Sequence, residues 1–294
     1  MKMPITMRRV ALVGPVSVVA LLGCRPDTQP LVICHNANCV EPANPDEDDT
    51  AAALTASLAL LDDDVPLIDG VEIDTFWNGA EARCLFAHDL AGSDEPDALA
   101  AVDVINAHLS GRFAQGAPLT HSGESFMLFV ELKGHVGEAK SDKHSDEELA
   151  RHADCAVDVF EAFAGPAVAE ARPARVVFTS FEPALLRAVQ DALEARAVNE
   201  PLVPVRLTAL FGIPPPLDSQ TLPIADFGDV DLGGVSIHPQ WTRQTSQAAF
   251  DSLGLDVGYW VFSAVPETLA AIDAHQPSFV TTSEATFMRR WLDR

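Results

Sequence analysis

Basic residues are scarce in this chain of 294 residues: 19 Lys and Arg stand against 43 Asp and Glu, a formal net charge of −24. Nucleic-acid binders meet the phosphate backbone with clustered Lys and Arg, so that class is excluded. So is a basic patch gripping anionic lipid. The N-terminal apolar run, Val10 to Leu22, is broken by Gly14, Pro15 and Ser17 and falls short of the ~20 residues that span a bilayer as a helix. Cysteine is sparse, five in all, with no Cys-x-x-Cys and no His pair at ligand spacing, which argues against a zinc framework. The acidic run Asp46–Asp49 lacks the Gly and terminal Glu of a calcium-binding loop and reads as a solvated loop. There is no internal repeat beyond strand–helix alternation and no low-complexity segment. What is present, 48% hydrophobic and 21% charged residues, is the composition of a folded chain with a sizeable core.

The first 24 residues read as an export signal: Lys2, Arg8 and Arg9 precede the apolar run, and Leu21-Leu22-Gly23-Cys24 closes it. That closing motif resembles a bacterial lipobox, which implies lipidation at Cys24, a tether over 25–30, and a cell-envelope protein anchored to the membrane through its N-terminus. Removal of the signal would take away three basic residues and no acidic one. Export leaves Cys34, Cys39, Cys84 and Cys155 in an oxidising compartment, where disulfides or buried thiols are expected and all three pairings stay open.

Residues 31–294 alternate apolar β-branched runs with helix-period segments. The strands are Leu31–His35, Gly70–Trp77, Phe126–Lys133, Arg175–Phe181, Val203–Phe211, Leu232–His238, Val257–Phe262 and Ser278–Thr282. Most are continuously apolar, as strands covered on both faces are. Helices are expected over Thr50–Leu61, Asp97–Leu109, Asp146–Ala164, Pro183–Ala197, Pro266–His275 and Glu284–Leu292, with Thr50 and Ser145 as N-caps. They are poorly marked from the fifth strand to the seventh. Asn78-Gly79 suggests a tight hairpin into a small extra strand at Cys84–Ala87. The fold class is α/β: a single (β/α)8 TIM barrel with a small hairpin insertion after strand 2.

Active sites of such barrels lie at the C-terminal ends of the strands, where polar residues collect in this sequence. Glu72 and Asp74, at i and i+2, share one strand face, as do Glu131 and Lys133. His35 ends the first strand, His88-Asp89 follows the hairpin, Ser180 ends the fourth strand, and Trp260 lies on the seventh. His238, at the end of the sixth, is a weaker candidate. Three converging carboxylates repel one another unless neutralised, and a hard divalent cation with oxygen ligands is the simplest solution. Two histidines supply a base and an acid near neutral pH. These parts describe metal-assisted cleavage of a phosphodiester. His108, His121, His135, His144 and His152 lie among charges and are expected to be solvated.

His35, Gly70-Val71-Glu72-Ile73-Asp74, Phe86-Ala87-His88-Asp89 and Val130-Glu131-Leu132-Lys133 together resemble the glycerophosphodiester phosphodiesterase family. The resemblance continues through Ser180-Phe181, Val257–Trp260 and Phe279–Thr282. It implies that Glu72, Asp74 and Glu131 hold one divalent cation, Mg2+ or Ca2+, that His35 and His88 act as base and acid, and that Lys133 meets the phosphate. The substrate it implies is a glycerophosphodiester. Two departures stand out: Asn36 replaces an Arg after the first His, and Pro45-Asp46-Glu47-Asp48-Asp49-Thr50 replaces Pro-Glu-Asn-Thr. Arg chelates phosphate in a way Asn does not. Sphingomyelinase D-like phospholipases share the barrel, lack that Arg, and carry Asn at the position of Asn38. Asn36, Asn38 and Trp260 are therefore expected to contact substrate, and an intact phospholipid is the alternative substrate. A catalytically silent barrel lipoprotein is a third possibility.

Overall fold

The computed structural model describes residues 29–87, 96–134, 144–196, 203–214, 222–243, 247–261 and 264–294. Eight parallel strands close on themselves: β1 (Leu31–Cys34), β2 (Gly70–Asn78), β3 (Phe126–Leu132), β4 (Ala174–Ser180), β5 (Val205–Phe211), β6 (Gly234–Ile237), β7 (Asp256–Val261) and β8 (Phe279–Thr282). β1 pairs with both β8 and β2, which completes the barrel. The helices are α1 (Ala51–Leu58), α2 (Ala98–Ala114), α3 (Asp146–Ala169), α4 (Pro183–Ala195), α5 (Gln247–Asp251), α6 (Pro266–His275) and α7 (Ala285–Leu292). This is the (β/α)8 TIM barrel expected from the sequence. None of the helices among the described residues is long and apolar enough to cross a membrane.

Two layers of side chains account for the continuous apolar strands. One face of each strand packs outward against helices in the main core, as Val71, Ile73, Leu128 and Val130 do. The other face fills the lower barrel with Leu31, Ile33, Met127, Phe129, Val177 and Phe279. The Phe129 and Phe279 rings meet at 4.9 Å between centroids. Phe279 fits because its β7 neighbour is Gly258, where a Cβ would overlap the ring. Above this layer the inward positions turn polar.

Helix starts follow the capping chemistry. Thr50 accepts from Ala53 N, and Ser145 with Glu148 forms a complete capping box. Among the described residues the poorly marked region is helix-poor: a 3-10 turn at Ile224–Phe227 is the only helical element described between β5 and β6. Between β6 and β7 lie a second 3-10 turn, Pro239–Arg243, and the five-residue α5.

The hairpin differs from the tight turn that Asn78-Gly79 suggests. β2 pairs antiparallel with Arg83–Phe86, ending at Asn78 opposite Arg83, so four residues make the turn. Asn78 Oδ1 accepts from Ala80 N and Glu81 N, an Asx-type turn in place of a two-residue one. Cys84 on this strand is bonded to Cys155 on α3, and Cys34 to Cys39, which settles the pairing. A cross-link over 71 residues removes about 4 kcal/mol of loop entropy from the unfolded chain on the chain-entropy relation.

Candidate active site

β2 and β3 carry the site because their register aligns it. Asp74 pairs with Glu131 across the two strands, and Cys34, the residue before His35, pairs with Val71, the residue before Glu72. Glu72, Asp74 and Glu131 each offer an oxygen within 4.8 Å of the others. All three are buried, at 4%, 0% and 4% exposure. Lys133 Nζ sits 2.6 Å from Glu131 Oε1 and 3.0 Å from Asp74 Oδ2.

One ammonium faces three carboxylates, and the electrostatics record the imbalance. Burial, then the charges of Glu131 and Asp74, raise the Glu72 carboxyl well above its usual range, with Lys133 opposing. Asp74 is pushed up to about 7, chiefly by burial, with Lys133 offsetting part of it. Burial alone would favour a neutral Lys133, but Asp74 and Glu131 outweigh it and raise the amine, so it stays charged. Glu72 Oε2 and Asp74 Oδ1 are buried without hydrogen-bond partners among the described residues. Such oxygens are costly unless something satisfies them. An all-oxygen set of this kind fits a hard divalent cation such as Mg2+ or Ca2+.

His35 is 8% exposed and its Nδ1 lies 3.2 Å from Ser283 Oγ, just beyond β8. His88 and Cys24 lie outside the described residues. Ala87, the residue before His88, donates from its main chain to Asp74 O at 3.1 Å. Asn38 and Asn36 point their amides at the loop after β1. Asn38 Nδ2 donates to Asn44 O and Asp48 Oδ1, both at 2.8 Å, and Asn36 Nδ2 to Asp48 Oδ2 at 3.3 Å. Trp260 Nε1 donates to Phe211 O at 3.1 Å. Its ring meets Phe181 at 6.1 Å and His238 at 5.3 Å, both edge-on. The three aromatics thus form one corner at the strand ends, which the sequence shows only as separate residues.

Three sequence expectations need correction. Asp49 is not a solvated loop residue: it is 1% exposed, and its Oδ1 accepts from Asp74 N at 3.2 Å. A polar run hides this, since only the fold reveals which of its members turns inward. His152 and His144 are also buried, the first at 5% exposure and the second at 4% for its side chain. His152 meets the edge of Phe76 at 5.7 Å, and His144 Nε2 lies 3.0 Å from Glu182 Oε2. Packing of α3 against the barrel covers them.

No protein-family profile and no curated protein matches the chain at the sequence level. Solved structures do match. A glycerophosphodiester phosphodiesterase from Parabacteroides distasonis superposes with a TM-score of 0.59 at 13% identity, covering 90% of this chain and 97% of the other. An Oleispira antarctica phosphodiesterase, solved with its product sn-glycerol-3-phosphate, gives 0.57 at 14% identity over 90% and 98%. A glycerophosphodiester phosphodiesterase from Agrobacterium tumefaciens gives 0.51 at 14% over 90% and 100%. At these identities the likeness is one of fold, and it places the chain on the same (β/α)8 barrel as the glycerophosphodiester phosphodiesterases.

Proposed function

We propose that this chain is a metal-dependent phosphodiesterase that hydrolyses glycerophosphodiesters to glycerol phosphate and an alcohol. The observation that carries the reading is the buried group of Glu72, Asp74 and Glu131 around Lys133, set at the strand ends of this barrel. Support comes from the Oleispira antarctica enzyme of the same fold, which was solved with sn-glycerol-3-phosphate. A bound Mg2+ or Ca2+ would polarise the phosphoryl group as a Lewis acid. Lys133 supplies a fixed positive charge on the same side. His35 and His88 divide the proton work, one taking a proton of the attacking water and the other giving one to the leaving alkoxide. Ser283 holds the His35 ring in orientation. Export and lipidation at Cys24 belong to the same reading, which sets the enzyme at an envelope membrane.

His35→Ala is expected to lower turnover of glycerophosphocholine by about 10²–10⁴-fold, with cation affinity kept. A variant that works at the parent rate would contradict the base–acid assignment. The same assay on intact sphingomyelin separates the substrates: headgroup release there, with none from glycerophosphocholine, would move the chain to the phospholipase D-like class.

A further inference from the structure

Asp49 is held by an arrangement that spends several contacts on one carboxylate. Asn36 and Asn38 grip the preceding Asp48. Asp49 N donates to Asn36 O at 3.0 Å, and its own φ is +56°, in the left-handed region that suits Gly and Asn better than Asp. Thr50 then caps α1. The outcome is a carboxylate beneath Asp74 with Oδ1 on the Asp74 main chain. Its Oδ2 is buried with no hydrogen-bond partner among the described residues. An Asn would make the same hydrogen bond, fit the same φ, and add no charge beside Asp74. The hydrogen bond alone therefore does not account for an acid at this position.

We propose that Asp49 is a positioning residue of the cation site: it fixes the ligand Asp74 through its main chain, and with a cation bound its carboxylate is a fourth negative charge in the field that holds the ion. This rests on the cation-binding reading above. Groups that support metal ligands from behind typically change affinity by about 10–100-fold.

The test is calorimetric titration of Mg2+ and Ca2+ into the parent, Asp49→Asn and Asp46→Asn, with thermal unfolding of each metal-free protein alongside. Asp46 is exposed on the same loop, so its variant removes an equal charge away from the site. The expected result is a dissociation constant about 10-fold or more weaker for Asp49→Asn, at an unchanged or higher metal-free Tm, with Asp46→Asn equal to the parent. Should the Asn variant fail to fold, Asp49→Gly suits the same φ and is expected to show the same weakening. Parent-like affinity in a folded Asp49 variant overturns the inference and leaves the cation reading standing. A parent that binds neither cation overturns both.

Discussion

Glu72→Gln is expected to leave a folded barrel that neither binds a divalent cation nor turns over substrate. The side chain keeps its shape but loses one of the three carboxylate charges gathered there. Because outer-shell changes already cost about 10–100-fold, loss of a ligand should weaken binding by more than about 100-fold. The stability change runs the other way. Burial and two neighbouring carboxylates raise the Glu72 carboxyl in the folded state. A raised carboxyl works against folding above its unfolded value, and relief comes as pH falls. The Gln variant removes that cost, so metal-free Glu72→Gln should unfold at or above the parent Tm near neutral pH. Cation at 100 times the parent's dissociation constant should stabilise the parent by about 2.7 kcal/mol and the variant by less than about 0.4 kcal/mol. Thermal unfolding with and without Mg2+ or Ca2+ reads both effects. A variant stabilised by cation as much as the parent would remove Glu72 from the site.

The second large effect lies at the opposite end of the barrel. Asp69, fully buried just before β2, receives Arg289 Nη2 of α7 at 2.6 Å, Val32 N of β1 at 2.9 Å and Ser122 N at 2.8 Å. Arg289 Nε also donates to Leu67 O. One ion pair thus joins the last helix, the first strand and the approaches to β2 and β3. Asp69→Ala leaves a buried guanidinium uncompensated, and the expected cost is about 3–5 kcal/mol. The double variant Asp69→Leu with Arg289→Met should recover part of it, because removing both charges removes their desolvation as well. Denaturant unfolding of the two proteins checks this. Equal midpoints for Asp69→Ala and the parent would show that the pair carries no such weight.

The sequence made the barrel readable because strands buried on both faces announce themselves as apolar runs. Glu72 and Asp74 were legible for the same reason, as charges inside the strand run Val71–Phe76 that needed a partner. Segment ends shifted by a few residues: α1 stops at Leu58 and α2 runs on to Ala114. What stayed hidden depends on contacts distant in the chain. Asp69 and Arg289 are 220 residues apart, and no local pattern joins them. Asp49 looks like its neighbours Asp46 and Asp48 until the loop folds back on Asn36 and beneath Asp74. The burial of His144 and His152 follows from the docking of α3, whose charged residues dominate the local sequence. The aromatic corner of Trp260, Phe181 and His238 likewise forms only when β4, β6 and β7 line up.

In the proposed function the buried carboxylates serve phosphodiester chemistry through a cation. The direct measurement is release of sn-glycerol 3-phosphate from glycerophosphocholine by the purified protein, before chelation, after chelation, and after Mg2+ or Ca2+ is restored. Turnover that chelation abolishes and either cation restores is the predicted result. Turnover indifferent to chelation, or none with either cation, would contradict it.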